Sequence, residues 1–365
     1  MTLTSQQAAL LLCRIPKLGL RSCKKLIDHF GSAKKVLEAP VNKLLQVSGI
    51  GPSHLRQIAT WKTYLPEVKK EEKNLISTAT TPFVYQSKNY PLTLTHTSDP
   101  PVVYFQQGRV NWSNPRIISI VGTRTPTGEG ERLCEELLQS IAPFHPLIVS
   151  GFARGIDIYA HKKALDLGLE TVAVLGHAFG QWYPKEHRHY VAPLLQQGAF
   201  ITEFWSNDPF DRTNFLRRNR IIAGVAHATV VIESGERGGS LVTAAHALAY
   251  GREVFAFPGR PSDTKSKGCL SLIKNDQARM IRHGKDLVDW LGWKKATSKQ
   301  RQQLPLFIEL SLEEKQLLNE LKQPTSLDEL ALKSKRSIAT VAALLLQLEL
   351  KGVVRSLGGK TFERS

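Results

Sequence analysis

The chain has 365 residues, with 49 lysines and arginines against 32 acids and a formal net charge of +17. Its length suggests two or three domains of about 100–200 residues each, and 42% hydrophobic residues exclude a disordered chain. The charge favours a polyanionic partner over a small neutral metabolite. No apolar run approaches the roughly 20 residues that span a bilayer, and the N-terminus lacks the basic start and cleavage site of a secretion signal. No membrane insertion and a cytoplasmic location are therefore expected. Cys13, Cys23, Cys134 and Cys269 stand far apart with no C-x-x-C pair, so neither a metal site nor a disulfide framework is expected.

Residues 1–80 read as a small helical domain of the SAM or helix-hairpin-helix type. Apolar residues recur at helical spacing, at Leu10, Leu11, Leu12 and Ile15 and then at Leu26, Ile27 and Phe30, with breaks at Gly19, Gly31 and Pro40. The run Val47-Ser-Gly-Ile-Gly-Pro-Ser-His-Leu-Arg56 fits a helix-hairpin-helix turn, whose glycines either bring backbone N–H groups to a phosphate or serve a purely structural bend. The charged stretch Glu67-Val-Lys-Lys-Glu-Glu-Lys73 is expected to be a solvated helix leading into a second domain.

Residues 81–293 form that domain. Between 116 and 258, short runs rich in β-branched residues alternate with helical patterns: 117–121, 147–149, 171–175, 199–202, 228–232 and 253–257. Continuous apolar strands separated by helices predict an α/β fold, a Rossmann-like parallel sheet with helices on both faces. A polar, basic linker over 294–304 then leads to a unit over 305–365. Helical patterns at 311–322, 326–333 and 337–351 and a hairpin pattern at 352–362 predict a winged-helix-like domain there. Its third helix is apolar, which leaves DNA contact and protein contact both open.

In an open parallel sheet, ligands bind beyond the carboxyl ends of the strands. The segments there are Val121-Gly-Thr-Arg124, Ser150-Gly-Phe-Ala-Arg-Gly-Ile-Asp157, the loop reaching Trp182-Tyr-Pro-Lys185, and Gly239-Ser-Leu-Val-Thr243. Glycines Gly122, Gly151, Gly155 and Gly239 allow close backbone approach. Thr123, Ser150 and Ser240 offer hydroxyls beside helix starts that favour anions, and Arg124 and Arg154 can grip phosphate in bidentate fashion. The segment Phe210–Arg220 concentrates four arginines, two asparagines and two aromatics, a mixture suited to unpaired nucleic acid, with phosphates for the charges and bases for the rings. Phe215 is the candidate stacking residue, with burial under the sheet as its alternative, and Trp182 and Tyr183 carry the same ambiguity. Asp157 and His161, four apart, are expected to form a structural hydrogen-bonded pair. Glu233 and Glu236 lack a nucleophile or metal ligands nearby, so no catalytic residues and no cofactor are expected.

These strand-end segments resemble the DNA-processing protein A (DprA/Smf) family. The matching residues are Val121-Gly-Thr-Arg124, Ser150–Asp157 with His161, Tyr183-Pro, Arg218-Asn-Arg-Ile-Ile-Ala-Gly224, Gly239–Thr243 and Gly251–Gly259, with Tyr90-Pro91 and Asp99-Pro-Pro101 ahead of them. The resemblance covers about residues 83–290. It implies binding of single-stranded DNA, a homodimer formed through the Rossmann-like domain, and delivery of DNA to the RecA recombinase during natural transformation. It places a DNA phosphate at Gly122, Thr123 and Arg124, with Lys185 and Arg217, Arg218, Asn219 and Arg220 extending the track. Leu270 stands where the family has asparagine, and Asp276-Gln277 where it has glycine-alanine. The competing classes are a nucleotide-processing enzyme of the lysine-decarboxylase-like group and a duplex-DNA regulator built on the winged helix. The first is disfavoured because Thr243 stands where that group has its catalytic glutamate.

Overall fold

The structure, a computed structural model, describes residues 3–294, 310–321, 324–358 and 361–364. The chain divides into two compact units, 1–295 and 296–365. The expected linker lies outside the described residues from 295 onward.

The first unit opens with six helices: α1 (Ser5–Arg14), α2 (Leu20–Phe30), α3 (Ala33–Glu38), α4 (Val41–Leu44), α5 (Pro52–Ala59) and α6 (Leu65–Ser77). Thr4 starts α1 with a capping box, its hydroxyl accepting from Gln7 N while the Gln7 side chain accepts from Thr4 N. Gly31 ends α2 in the left-handed region at φ 82°, where only glycine is unstrained. At the α4–α5 turn, the Gly51 N–H donates to His54 Nδ1 at 3.2 Å, so the chain's own imidazole already occupies that amide. Leu10, Leu11 and Leu12 are fully buried, and their core is continuous with that of the following sheet. The charged α6 departs from the expectation of a solvated helix. Val68, Glu71 and Leu75 face inward, with Glu71 accepting the N–H of Ser206 at 3.0 Å.

The sheet has nine strands: β1 (Thr81–Val84), β2 (Val103–Gly108), β3 (Ile117–Val121), β4 (Leu147–Ser150), β5 (Thr171–Val174), β6 (Gly198–Thr202), β7 (Ala228–Val231), β8 (Glu253–Ala256) and β9 (Arg279–Met280), in the order β1-β2-β6-β5-β4-β3-β7-β8-β9. The six strands read from the sequence are β3 to β8, all mutually parallel. The sheet is nonetheless mixed, because β1 and β2 pair antiparallel on the β6 side. Linking helices are α7 (Leu92–Thr95), α8 (Gly128–Ile141), α9 (Ile156–Asp166), α10 (Val191–Gln197), α11 (Asn214–Val225), α12 (Gly239–Ala249), α13 (Lys267–Lys274) and α14 (Gly284–Trp290). Alternate strand residues feed cores on opposite faces, as a sheet covered on both faces requires. Val121, Val149 and Val174 join the first, and Ile118, Ile120 and Ile148 pack under α8, α9 and α14 in the second. Within the sheet, Ser119 and Thr229 face each other in register on β3 and β7 and share a buried hydroxyl hydrogen bond of 2.7 Å. Asp276 adopts φ 54°, a left-handed position that aspartate tolerates.

The second unit holds α15 (Leu312–Glu320), α16 (Leu327–Ser334), α17 (Ile338–Leu350) and a small sheet of β10 (Thr325–Ser326), β12 (Thr361–Arg364) and β11 (Val354–Gly358). Leu317, Leu330, Val341, Leu345 and Leu348 form its core. This is the expected winged helix. Ser311 and Glu314 cap α15 reciprocally, and the buried Glu314 carboxylate also receives Lys351 Nζ at 2.6 Å.

Candidate functional site

From β3 the chain builds outward through β4, β5 and β6, then returns to place β7 on the other side of β3. The reversal opens a crevice between the ends of β3 and β7, the position at which doubly wound sheets bind ligands. A cavity of about 260 Å³ lies there, lined by Gly122, Thr123, Arg124, Phe215, Arg218 and Asn219 together with the start of α12. The turn after β3 is fastened on both sides. Thr123 N donates to Glu233 O at 2.7 Å and Ile156 N donates to Thr123 O at 3.1 Å. Gly155 permits that approach, with φ +79° and a position where a Cβ would lie 2.2 Å from Thr123 O.

Three features of the cavity favour an anion. Gly238 starts α12 without a side-chain cap, and the N–H groups of Gly239 and Ser240 have no acceptor among the described residues, so the positive end of the helix is open. Arg124 is exposed at the rim and makes no ion pair or hydrogen bond among the described residues. Arg218, 3% exposed, forms the floor. Its guanidinium donates to the carbonyls of Gly151 and Val174 and to Asn219 Oδ1 at 3.0 Å, with Asp157 Oδ2 at 3.9 Å. Burial pulls the Arg218 pKa down to about 10, which Asp157 opposes and the like charge of Arg124 reinforces. Burial likewise raises Asp157, against the pull of Arg218. Two cations thus converge over one buried carboxylate, and an anion entering between them relieves their repulsion.

The other expected site residues separate by face. Gly151 lies against the floor, where a Cβ would meet Asp157 Oδ2 at 2.3 Å. Ser150 corrects its expectation: it is fully buried, and its hydroxyl donates to Ile120 O at 2.6 Å, leaving no donor for a ligand. Ser240 Oγ donates to Ser234 Oγ at 2.9 Å, so its amide rather than its hydroxyl faces the opening. Arg154 is exposed but paired with Glu186 and does not line the cavity. Arg220 also departs from the expected track, because its buried guanidinium pairs with Glu203 and donates to Asp99 O at 2.6 Å. Arg217 points to the far side of α11, with its guanidinium 5.4 Å from the Phe204 ring centre. Lys185 is exposed with no partner among the described residues.

Phe215 is half-buried and joins a ring cluster at the cavity mouth. Phe210 stands 5.7 Å from it and Tyr183 5.6 Å. Tyr183 and Phe210 are 43% and 44% exposed, so the sequence signal, aromatics among basic residues, pointed to this patch without separating outer rings from inner. Trp182 turns inward against Phe200, with ring centres 5.0 Å apart. Asp157 and His161 do not pair with each other as expected. His161 Nδ1 meets Thr171 Oγ1 at 2.7 Å, and burial lowers its pKa to about 3. Glu233 accepts the Thr127 N–H and hydroxyl, each at 2.9 Å, at the start of α8. No group of acids, cysteines and histidines among the described residues could hold a metal ion. All four thiols are free, and burial pushes Cys13 up to about 12.

A doubly wound sheet with a crevice at its reversal point, followed along the chain by a winged helix, defines a Rossmann-like protein with an appended winged-helix domain. Residues 81–292 match the family described as DNA recombination-mediator protein A, and residues 305–360 match the DprA winged helix domain. The chain belongs to the DNA recombination-mediator protein A (DprA/Smf) family. It is 30% identical to Protein Smf of Synechocystis over 93% of this chain and 94% of that one. Its fold is similar to that of DNA processing protein A from Streptococcus pneumoniae, with a TM-score of 0.66 and 27% identity over 79% of this chain and 98% of that chain. It is also similar in fold to DNA processing protein A from Helicobacter pylori, whose structure concerns a unique single-stranded DNA binding mode, with a TM-score of 0.52 and 23% identity over 58% of this chain and 95% of that chain.

Proposed function

We propose that this chain binds single-stranded DNA by seating a backbone phosphate in the crevice between β3 and β7, with bases stacked on the adjoining rings. The observation that carries this reading is the convergence of Arg124, Arg218 and the uncapped start of α12 on one cavity, bordered by the exposed Tyr183 and Phe210. Charge for phosphates beside flat apolar surfaces for bases is the usual chemistry of strand binding without sequence readout. The single-stranded DNA binding of the Helicobacter pylori relative supports it. We infer further, from what the resemblance of its strand-end segments implies, that the protein acts in the cytoplasm without catalysis of its own, as a homodimer that hands the strand to the RecA recombinase. The outermost strand β9, unpaired on its outer side among the described residues, carries Met280 at 54% exposure and stands beside Trp290 at 53%, an edge and apolar surface suited to self-association.

The winged helix suits this role better than that of a duplex reader. Between Ile338 and Leu350, α17 contains no lysine or arginine, and Ile338 and Leu346 are 53% and 58% exposed. Duplex readers place basic and polar side chains on that helix, so α17 is suited to a protein contact. The enzyme alternative lacks its acid, since Thr243 lines the cavity where the lysine-decarboxylase-like group carries glutamate. Anisotropy of labelled single and double strands decides among these readings. Single strands should bind the more tightly, and deletion of 305–365 should leave that binding in place. Preference for duplex, or loss of binding on deletion, refutes the proposal.

A further inference from the structure

Beyond the crevice, a second basic groove lies on the same molecule, where α6 packs beside the ends of β5 and β6. Its volume is about 530 Å³, and Lys70, Lys73, Phe179, Phe204, Ser206 and Asn207 are among the residues that line it. The charges around it are sorted. Glu67 and Asp208 are both taken by Arg14, at 2.6 and 2.8 Å, Glu72 accepts from Gln7 at 3.0 Å, and Glu71 is buried against Ser206. Lys69, Lys70 and Lys73 are exposed, with no partner among the described residues. Every acid on this face of α6 is therefore engaged within the fold, while its cations remain open to solvent.

The groove adjoins the crevice through the aromatic patch. Phe215 leads to Phe210 and Tyr183, and the loops carrying these rings meet where Gln181 Nε2 donates to Asp208 O at 3.5 Å. Phe204, at the groove, lies beneath the guanidinium of Arg217, whose neighbour Arg218 forms the crevice floor. Free cations, intervening rings and hydrogen-bonding side chains along one rim are the ingredients of a strand channel. We propose that the groove between α6 and the ends of β5 and β6 holds the sugar-phosphate backbone of the same DNA strand beyond the crevice, with Lys70 and Lys73 contacting its phosphates. The helices of residues 1–80 then serve as part of the DNA-binding surface. This extension rests on the reading of the crevice as a single-strand site.

The test is fluorescence anisotropy of the full chain with short (about 6 nucleotides) and long (about 20 nucleotides) labelled oligothymidylates, comparing the parent with the K70E/K73E double variant and with R124A. The double variant should bind the long strand about tenfold more weakly, with its logarithmic salt slope smaller by about 1.4 for two lost phosphate contacts, and should bind the short strand as the parent does. Equal loss on both lengths, or loss on neither, overturns the groove. R124A should weaken both lengths. If R124A binds as the parent while the double variant loses the long strand, the groove stands and the crevice reading falls. If the parent binds neither length, both fall.

Discussion

Arg124→Ala is the sharpest perturbation of the crevice because the structure isolates its effect. The side chain is exposed and makes no hydrogen bond or ion pair among the described residues, so its removal should change folding stability by less than about 0.5 kcal/mol. It also removes a like charge that depresses Arg218, which acts in the favourable direction. In the complex, the variant loses a charge-assisted contact to phosphate worth about 1.5–3 kcal/mol. That corresponds to a loss of about tenfold to 150-fold in affinity. The logarithmic salt slope should shrink by about 0.7, the share of one phosphate on a single strand. Arg218→Ala cannot separate these quantities, because it strands the buried Asp157 and should cost about 3–5 kcal/mol in stability. Anisotropy with a labelled oligonucleotide at three salt concentrations, alongside thermal melts of parent and variant, reads every term. Unchanged affinity, or a weakened complex with an unchanged salt slope, would refute the assignment of a phosphate to this crevice.

Other consequences follow from particular contacts. Gly155→Ala forces a methyl group to within 2.2 Å of Thr123 O at a residue with φ +79°, so it should lower stability by at least about 2 kcal/mol and abolish strand binding, as a melt and a titration will show. Burial lowers His161 to about 3, well under its ordinary value. The unfolded chain therefore binds a proton over this interval that the folded chain refuses, and stability must rise with pH between about 3 and 6.5, by up to about 1.4 kcal/mol per unit. The buried His177 and His187 and the half-buried His227 and His246 shift the same way. Urea midpoints of H161N against the parent should thus show a shallower loss on acidification, and parallel profiles would remove His161 from this account. Lys351→Met leaves the buried Glu314 carboxylate with Ser311 as its remaining named partner, and should lower the melting transition of the second unit while leaving that of the first unchanged.

The sequence made the sheet and its working edge readable because a covered parallel strand is an unbroken run of β-branched and apolar residues, and the six runs coincide with β3 to β8. The strands β1 and β2 escaped because neither is an unbroken apolar run: Pro82 interrupts the edge strand β1, and Gln106-Gln107 interrupt β2, which lies between β1 and β6. The crevice residues Gly122, Thr123, Arg124, Phe215, Arg218 and Asn219 were legible from the strand ends and the basic-aromatic segment. The arginine run was read as a single track, yet a helix turns about 100° per residue. Arg217 accordingly faces Phe204, Arg218 forms the floor and Arg220 meets Glu203. Composition reported four arginines, and only the partner carboxylates, distant in sequence, show which stay available. Ser150 was misplaced for a similar reason. It is the last residue of β4 rather than the first of the loop, so its hydroxyl turns into the sheet. In α6, Glu71 shares the stripe of Val68 and Leu75, a spacing that already hinted at burial.

The hydroxyl pair of Ser119 and Thr229 has a consequence for alignment. These residues sit mid-strand on the two strands whose ends flank the crevice. A slip of β7 against β3 by one position would strand two polar atoms in a dry interior and reverse which side chains face each core. One wall of the crevice is therefore indexed to the other like two combs held by a single shared tooth. A double exchange of both hydroxyls for methyls could keep the fold's stability while loosening that alignment.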